Sequence, residues 1–119
     1  MAKPKILIVD DEKPTRDVMA RALSSRFECL TAPDGDLALA AIRANPDLAL
    51  MISDVRMPGV DGVSLVKKAK ELAPHLACIL LTAYGSVDLA VKAMKEGADD
   101  FLTKPITDLN QLELRISNA

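Results

Sequence analysis

LALMISDVRMPGVDG, residues 48–62, is the stretch of sequence that decides the fold. It begins with a short apolar run, residues 48–52, which is typical of a strand buried on both faces of a parallel sheet. The run leads to a carboxylate, Asp54, and a Pro-Gly turn before residues 61–62 open an amphipathic segment. Ligands of open parallel sheets bind at the carboxyl ends of strands, so Asp54 is a candidate for chemistry. Alone, the same pattern also fits a solvated carboxylate that ends a strand.

The composition limits the class of protein. The chain has 119 residues, of which 50% are hydrophobic and 3% aromatic, so we expect one domain, residues 1–119, with an aliphatic core. A net charge of −2 argues against direct binding to nucleic acid or to an anionic membrane. Cys29 and Cys78 lie in apolar runs without Cys-x-x-Cys spacing, which predicts buried thiols. We find no signal peptide and no bilayer-length apolar run, and therefore expect a cytoplasmic protein.

Strand and helix patterns alternate along the chain. Apolar or mixed runs predict strands at residues 5–9, 27–31, 48–52, 77–81 and 101–103. A segment of helical spacing follows each one, and the last of these segments begins at Asp108. Asp34-Gly35 is a start signal for the second helix, and Gly97 is a stop signal for the fourth. The alternation predicts an α/β fold, a parallel sheet with helices on both faces.

Apolar spacing also predicts which helical residues face the sheet. The predicted inward residues are Val18, Met19, Ala22 and Leu23 in the first helix, Leu65, Val66, Ala69 and Leu72 in the third, and Val87, Ala90, Val91 and Met94 in the fourth.

Polar groups follow four of the predicted strands, and the carboxyl ends of parallel strands share one edge. These groups are Asp10 and Asp11, Asp54, Thr82 and Lys104. Each has an ordinary explanation alone, but the set together indicates a site. Crowded carboxylates repel one another unless a cation joins them, and a few oxygen ligands suit Mg²⁺. A carboxylate beside Mg²⁺ can attack phosphorus and form an aspartyl phosphate, while the metal and a lysine neutralise the phosphoryl oxygens.

These motifs resemble those of the receiver domain of two-component response regulators, over essentially the whole chain. The matching pieces are ILIVDDE at 6–12, DVRMPGVDG at 54–62, LTAYG at 81–85 and GADDFLTKP at 97–105. The resemblance implies a flavodoxin-like, doubly wound (βα)₅ fold with strand order 2-1-3-4-5.

The resemblance also implies a role for each site residue. Asp54 is the implied phosphoacceptor, and Asp11, Asp54 and the backbone carbonyl of Arg56 are implied Mg²⁺ ligands, with Asp10 reaching the metal through water. Thr82 is the implied switch hydroxyl, and Lys104 the implied phosphate-binding lysine. Phe101 occupies the aromatic switch position, where the family often has Tyr.

The segment at residues 83–98 looks most like receivers of the nitrogen-regulation group of sigma-54-dependent activators. That implies a sensor histidine kinase as phosphodonor, and ATPase and DNA-binding output domains in a longer parent chain, which regulate transcription. The chain is then an excised domain or a stand-alone receiver, and its own catalysis is limited to accepting a phosphoryl group and losing it to water.

We also expect phosphorylation to change homodimerisation, in either direction, through a face formed by the fourth helix, last strand and last helix. Its named residues are Leu89, Lys92, Lys95, Glu96 and Asp99.

Two other classes of protein share parts of this pattern. A Mg²⁺-dependent phosphatase of the haloacid-dehalogenase type also phosphorylates an Asp, but it carries Asp-x-Asp after the first strand, where this chain has Asp10-Asp11. A flavin-binding flavodoxin needs a hydroxyl-rich phosphate loop after the first strand, and this loop is acidic instead.

Overall fold

The strands form a single parallel sheet in the order predicted. The structure, a computed structural model, describes residues 3–55, 62–82 and 87–103. Within those ranges the sheet has the order β2-β1-β3-β4-β5, with every neighbouring pair parallel. The strands are β1 (Lys5–Val9), β2 (Glu28–Ala32), β3 (Leu48–Asp54), β4 (Ala77–Thr82) and β5 (Asp100–Thr103). The predicted fold class and strand order are confirmed.

Helices connect successive strands and cover both faces of the sheet. In the described residues they are α1 (Lys13–Leu23), α2 (Gly35–Ala44), α3 (Gly62–Leu72) and α4 (Val87–Lys95). The predicted last helix, from Asp108, lies outside the described residues. No helix in the described ranges is both long and apolar enough to cross a bilayer.

Two apolar layers hold the helices against the sheet. Ile6 and Ile8 of β1 pack on one face with Met19 and Leu23 of α1. Leu7 and Val9 of β1 pack on the other face, among residues of α2, α3 and α4. The central strands are therefore buried on both sides, as their unbroken apolar runs predict. Each fully buried Leu, Ile or Val side chain stabilises the fold by about 1.5–3 kcal/mol.

Two helix boundaries follow the predicted local chemistry. The carboxylate of Asp34 accepts a hydrogen bond of 2.8 Å from the backbone N–H of Leu37, which caps α2. Gly97 has a φ of 111°, a left-handed conformation that ends α4. The N–H of Ala98 then reaches the carbonyl of Ala93 at 3.0 Å, as in a glycine-terminated helix.

The predicted inward faces of three helices are partly wrong. Val18 is 60% exposed on α1, and Leu72 is exposed at the end of α3. On α4, Val91 and Met94 are 47% and 48% exposed, whereas Ala93 is fully buried. The small side chain of Ala93 lets α4 approach the sheet closely. Each residue of a helix is rotated by about 100° from the one before it, so Val91 and Met94 lie on a different face from Ala93 and point outward.

Asp99 ties the start of β5 to two neighbouring elements at the amino edge of the sheet. Its carboxylate accepts hydrogen bonds from the backbone N–H of Cys78 at 2.8 Å and from Lys70 Nζ on α3 at 3.0 Å. The N–H of Asp99 donates to the carbonyl of Cys78 at 2.7 Å. Asp99 is thus engaged towards α3 and β4, while its side chain remains 37% exposed.

Both cysteines are free thiols, and Cys78 is completely buried, while Cys29 is partly exposed. Burial raises the pKa of Cys78 to about 12 from an ordinary value of 9.0. The folded state therefore keeps this proton more tightly than the unfolded chain does. The resulting stabilisation is fully present below pH 9 and is lost as pH rises towards 12.

We predict that Cys78→Ala removes this pH dependence. In a Cys29→Ala background, the unfolding free energy of the protein with Cys78 should exceed that of the Cys78→Ala variant by a constant amount below pH 9. Above that pH the difference should shrink by at most about 1.4 kcal/mol per pH unit. Urea titrations from pH 7 to 10.5 measure it, and a difference that stays constant throughout would contradict the prediction.

Candidate functional site

Three carboxylates converge at the carboxyl edge of the sheet. Asp10 and Asp11 directly follow β1, and Asp54 is the last residue of β3. One carboxylate oxygen from each lies within 4.8 Å of the other two. Asp10 is only 1% exposed, Asp54 is half-buried and Asp11 is exposed. The cluster therefore has a buried floor and an open side.

Strand pairing brings the carboxylates together. β1 and β3 are adjacent and parallel, and Val9 is paired in register with Ser53. The next residue of each strand is therefore Asp10 on one side and Asp54 on the other. The meeting of Asp10 and Asp54 follows from the topology, and Asp11 is the next residue along the loop after β1.

Asp10 is held by three hydrogen bonds, two to its backbone and one to its carboxylate. Its N–H donates to the carbonyl of Ala32 in β2 at 3.2 Å. Its carboxylate Oδ1 accepts from the N–H of Glu12 at 2.9 Å, and its carbonyl accepts from a guanidinium nitrogen of Arg16 at 2.7 Å. The loop that carries Asp10 and Asp11 is therefore ordered by contacts with β2 and α1.

The first residue of α3, Gly62, packs against the backbone of Asp54 and Val55. The N–H of Gly62 donates to the carbonyl of Val55 at 2.8 Å. A methyl group added to Gly62 would lie 2.5 Å from the carbonyl oxygen of Asp54 and 2.7 Å from the Cα of Val55. Only glycine permits this approach. On the other side, the N–H of Val55 donates to the carbonyl of Leu81 in β4 at 2.9 Å.

The donor set suits a small, hard cation. Carboxylate oxygens are the ligands that Mg²⁺ prefers, at about 2.0–2.1 Å, so two opposite ligands of one ion stand about 4.2 Å apart. The oxygens of Asp10, Asp11 and Asp54 lie within 4.8 Å of one another. Two could bind one ion directly and the third through a water molecule. The cation would also offset the repulsion among three negative groups.

The remaining predicted site residues are placed in part or not at all. The backbone of Thr82 ends β4, one position beyond Leu81, the register partner of Asp54. The Thr82 side chain, Arg56 and Lys104 lie outside the described part of the chain. Phe101 is half-buried on β5 and packs against the core layer shared with α2, α3 and α4.

Sequence reasoning missed two residues that support the site. Arg16 appeared to be an outward-facing residue of α1, but it bonds the Asp10 carbonyl. Gly62 was recognised only as part of a helix start, although it packs directly against the backbone of Asp54. An Asp-Gly pair so soon after a strand-end carboxylate was the available signal for Gly62, since glycine permits close backbone approach. No comparable signal was available for Arg16.

Comparisons with known proteins give a consistent result. The sequence matches the family described as Response regulator receiver domain over residues 6–117. It is 40% identical to the DNA-binding transcriptional regulator NtrC of Salmonella typhimurium over 121 aligned residues, which cover all of this chain and 25% of that protein. The chain spans about a quarter of the length of the curated relatives it matches first.

Two similar solved structures bear on the acidic edge and on assembly. One is a response regulator protein from Burkholderia pseudomallei with a phosphorylated aspartic acid, a calcium ion and citrate, with a TM-score of 0.88 and 28% identity over 96% of this chain and 66% of that one. The other is the beryllofluoride-activated NtrC4 receiver domain dimer, with a TM-score of 0.88 and 34% identity over 96% of this chain and 93% of that one.

We predict that Gly62→Ala displaces the backbone of Asp54. Overpacking of this kind typically costs about 1–3 kcal/mol of stability, and it should also weaken Mg²⁺ binding at the acidic edge. Gly97→Ala is the control, because it strains a left-handed residue at the far end of α4. The control should lose stability and keep the affinity of the parent for Mg²⁺. Urea unfolding and calorimetric Mg²⁺ titration measure the two effects, and equal Mg²⁺ affinities in both variants would contradict the prediction.

Proposed function

This chain is a response regulator receiver domain, and from that premise we propose that it accepts a phosphoryl group on the carboxylate of Asp54. The observation that carries the proposal is the convergence of the Asp10, Asp11 and Asp54 carboxylates within 4.8 Å. Because the sequence matches the receiver-domain family over residues 6–117, the two other classes of protein, the dehalogenase-type phosphatase and the flavodoxin, are excluded.

The proposed reaction is a transfer between two covalent bonds. An oxygen of Asp54 attacks phosphorus and forms an acyl phosphate, and the bond from phosphorus to the donor breaks with its electron pair leaving on the donor atom. In a two-component system that atom is the phosphohistidine nitrogen of a sensor kinase. Water later attacks the phosphorus of the acyl phosphate, the bond from phosphorus to the Asp54 oxygen breaks, and the step restores the carboxylate and releases inorganic phosphate. The chain has no substrate turnover beyond these two steps.

We assign the other predicted site residues a role in this transfer. Bound Mg²⁺ would supply charge neutralisation for the phosphoryl oxygens. Asp11, Asp54 and the backbone carbonyl of Arg56 would hold it directly, and the more buried Asp10 would hold it through water. The ammonium of Lys104 would bind another phosphoryl oxygen. The roles of Arg56 and Lys104 are supported by the motifs that contain them.

The proposed switch links the phosphoryl group to the face of α4 and β5. Thr82 would donate a hydrogen bond to the new phosphoryl oxygens, because a charge-assisted bond favours that position of the hydroxyl. Its movement would open space beside β4, and the half-buried ring of Phe101 would turn inward to fill it. Two packings of similar energy make a bistable element of the kind that a switch requires.

The output proposed for the parent protein is regulation of transcription. The similar NtrC is a DNA-binding transcriptional regulator, and this chain covers 25% of its length. We therefore propose that the receiver controls ATPase and DNA-binding domains of a longer protein in the cytoplasm, where the chromosome is accessible. A net charge of −2 favours leaving the DNA contacts to another domain.

The acceptor is tested by acetyl phosphate in the presence of Mg²⁺. The intact mass of the protein should increase by one phosphoryl group, and base treatment should remove it because acyl phosphates are base-labile. Asp54→Asn should abolish the increase, since an amide cannot act as the nucleophile. Asp47→Asn, an exposed carboxylate at the amino edge, is the control and should react like the parent. Modification of Asp54→Asn to the level of the parent would refute the assignment.

We also propose that phosphorylation assembles a homodimer through α4. Val91 and Met94 give this helix an exposed apolar strip beside the exposed ammonium groups of Lys92 and Lys95. The NtrC4 receiver, at 34% identity, forms a dimer when it is activated with beryllofluoride. Mixed apolar and charged surfaces of this kind suit a two-fold contact between identical chains.

Sedimentation velocity with and without beryllofluoride and Mg²⁺ tests the dimer. The parent should shift from monomer to dimer at micromolar concentration. Met94→Lys should stay monomeric because it places a charge in the apolar strip. Leu37→Lys, at an exposed apolar residue of α2, should dimerise like the parent. A monomer under every condition, or equal loss in both variants, would contradict assembly through α4.

A further inference from the structure

We propose that Arg16 is a positioning residue, which fixes the peptide between Asp10 and Asp11 and so sets the two carboxylates for Mg²⁺. The inference rests on the proposed function in one respect, that the acidic edge binds this metal. It concerns a residue of α1 that would not itself touch the metal or the phosphoryl group. The contact that points to it is the 2.7 Å hydrogen bond from the guanidinium of Arg16 to the carbonyl oxygen of Asp10.

Each polar group of Asp10 has its own partner, and Arg16 provides the partner of the carbonyl. The N–H is bonded to Ala32 of β2, and the carboxylate is bonded to the N–H of Glu12. Asp10 is 1% exposed, so its carbonyl needs a partner from the protein. The Arg16 guanidinium approaches with a hydrogen-bond donor that carries charge, which makes the bond stronger than one between neutral groups.

Arg16 also constrains the start of α1, where Pro14 lies in the first turn. The N-cap residue of this helix, Glu12, makes no side-chain capping hydrogen bond. The N–H of Arg16 donates to the carbonyl of Glu12 at 3.1 Å, as in a regular first turn. The backbone of Arg16 therefore binds the end of the loop while its half-buried side chain binds the beginning of the same loop. One residue closes the segment that carries both carboxylates.

The planarity of the peptide bond connects this contact to Asp11. The carbonyl of Asp10 and the N–H of Asp11 belong to one rigid plane, so a bond that fixes the carbonyl also fixes the direction in which the Asp11 backbone leaves it. Asp11 is exposed, so packing contributes less to its position. Contacts that orient metal ligands typically affect metal affinity by about 10–100-fold when they are removed.

Positioning and simple electrostatics predict opposite signs. A positive guanidinium near three carboxylates repels a divalent cation, so removal of its charge alone would tighten Mg²⁺ binding. Removal of a positioning contact would weaken it. The direction of the change in affinity therefore distinguishes the two roles.

The test compares two arginines of the same helix. Arg16→Met removes the donor and keeps an unbranched side chain, and Arg21→Met makes the same charge change at an exposed residue one turn and a half further along α1. Calorimetric titration of the full chain with Mg²⁺ should show about tenfold or greater weakening in Arg16→Met. Arg16→Lys retains one charged donor and should lie between Arg16→Met and the parent. Arg21→Met should stay within about twofold of the parent, since exposed charges are screened.

Amide hydrogen exchange in the metal-free protein gives a second readout. The N–H of Glu12, which donates to Asp10 Oδ1, should exchange faster in Arg16→Met than in the parent, and at the parental rate in Arg21→Met. If Arg16→Met does not fold, weaker Mg²⁺ binding in folded Arg16→Lys supports the inference, and unchanged binding overturns it.

Unchanged or tighter Mg²⁺ binding in folded Arg16→Met would overturn the inference. The proposed function would then stand, provided that the parent binds Mg²⁺ and is phosphorylated. A parent that binds no Mg²⁺ would overturn both.

Discussion

The repulsion among three carboxylates is the constraint on which the acidic edge depends. Oxygens of Asp10, Asp11 and Asp54 lie within 4.8 Å of one another, and separating them would relieve that repulsion. The strands resist separation because β1 and β3 are adjacent interior strands of the sheet, with side chains buried on both faces. The apolar core therefore holds the charged groups together. A site built at this position keeps its geometry before any ligand arrives, which favours both metal binding and transfer.

The sheet could be predicted from sequence because its signals are local and strong. Unbroken apolar runs identified the buried strands, and Asp34 and Gly97 marked helix ends through their own backbone chemistry. The end of β3 was predicted two residues too early, because Asp54 still pairs with Leu81 and nothing in the apolar pattern signals that pairing. The faces of the helices were less predictable. A prediction from apolar spacing selects the large apolar side chains as the buried ones. In α4, however, the small Ala93 is buried, and Val91 and Met94 point outward.

The candidate site also has a part that could be predicted from the sequence and a part that could not. The convergence of the carboxylates could be predicted because parallel topology places all strand ends at one edge, and the structure confirms that Asp10, Asp11 and Asp54 meet there. The supporting contacts could not be predicted, because both act on backbone atoms whose positions depend on the folded path. Arg16 reaches a carbonyl six residues earlier, and Gly62 packs against the backbone of Asp54 and Val55. The roles of Thr82, Lys104 and Arg56 remain predictions.

The contacts of Asp99 with Lys70 and Cys78 fix the segment that follows α4 to α3 and β4. α4 has nine residues and is therefore about 13 Å long. The leading end follows β4 and so lies at the carboxyl edge of the sheet. α4 therefore runs from the edge of the sheet that carries the carboxylates to the opposite edge, where Asp99 ties the chain to α3 and β4.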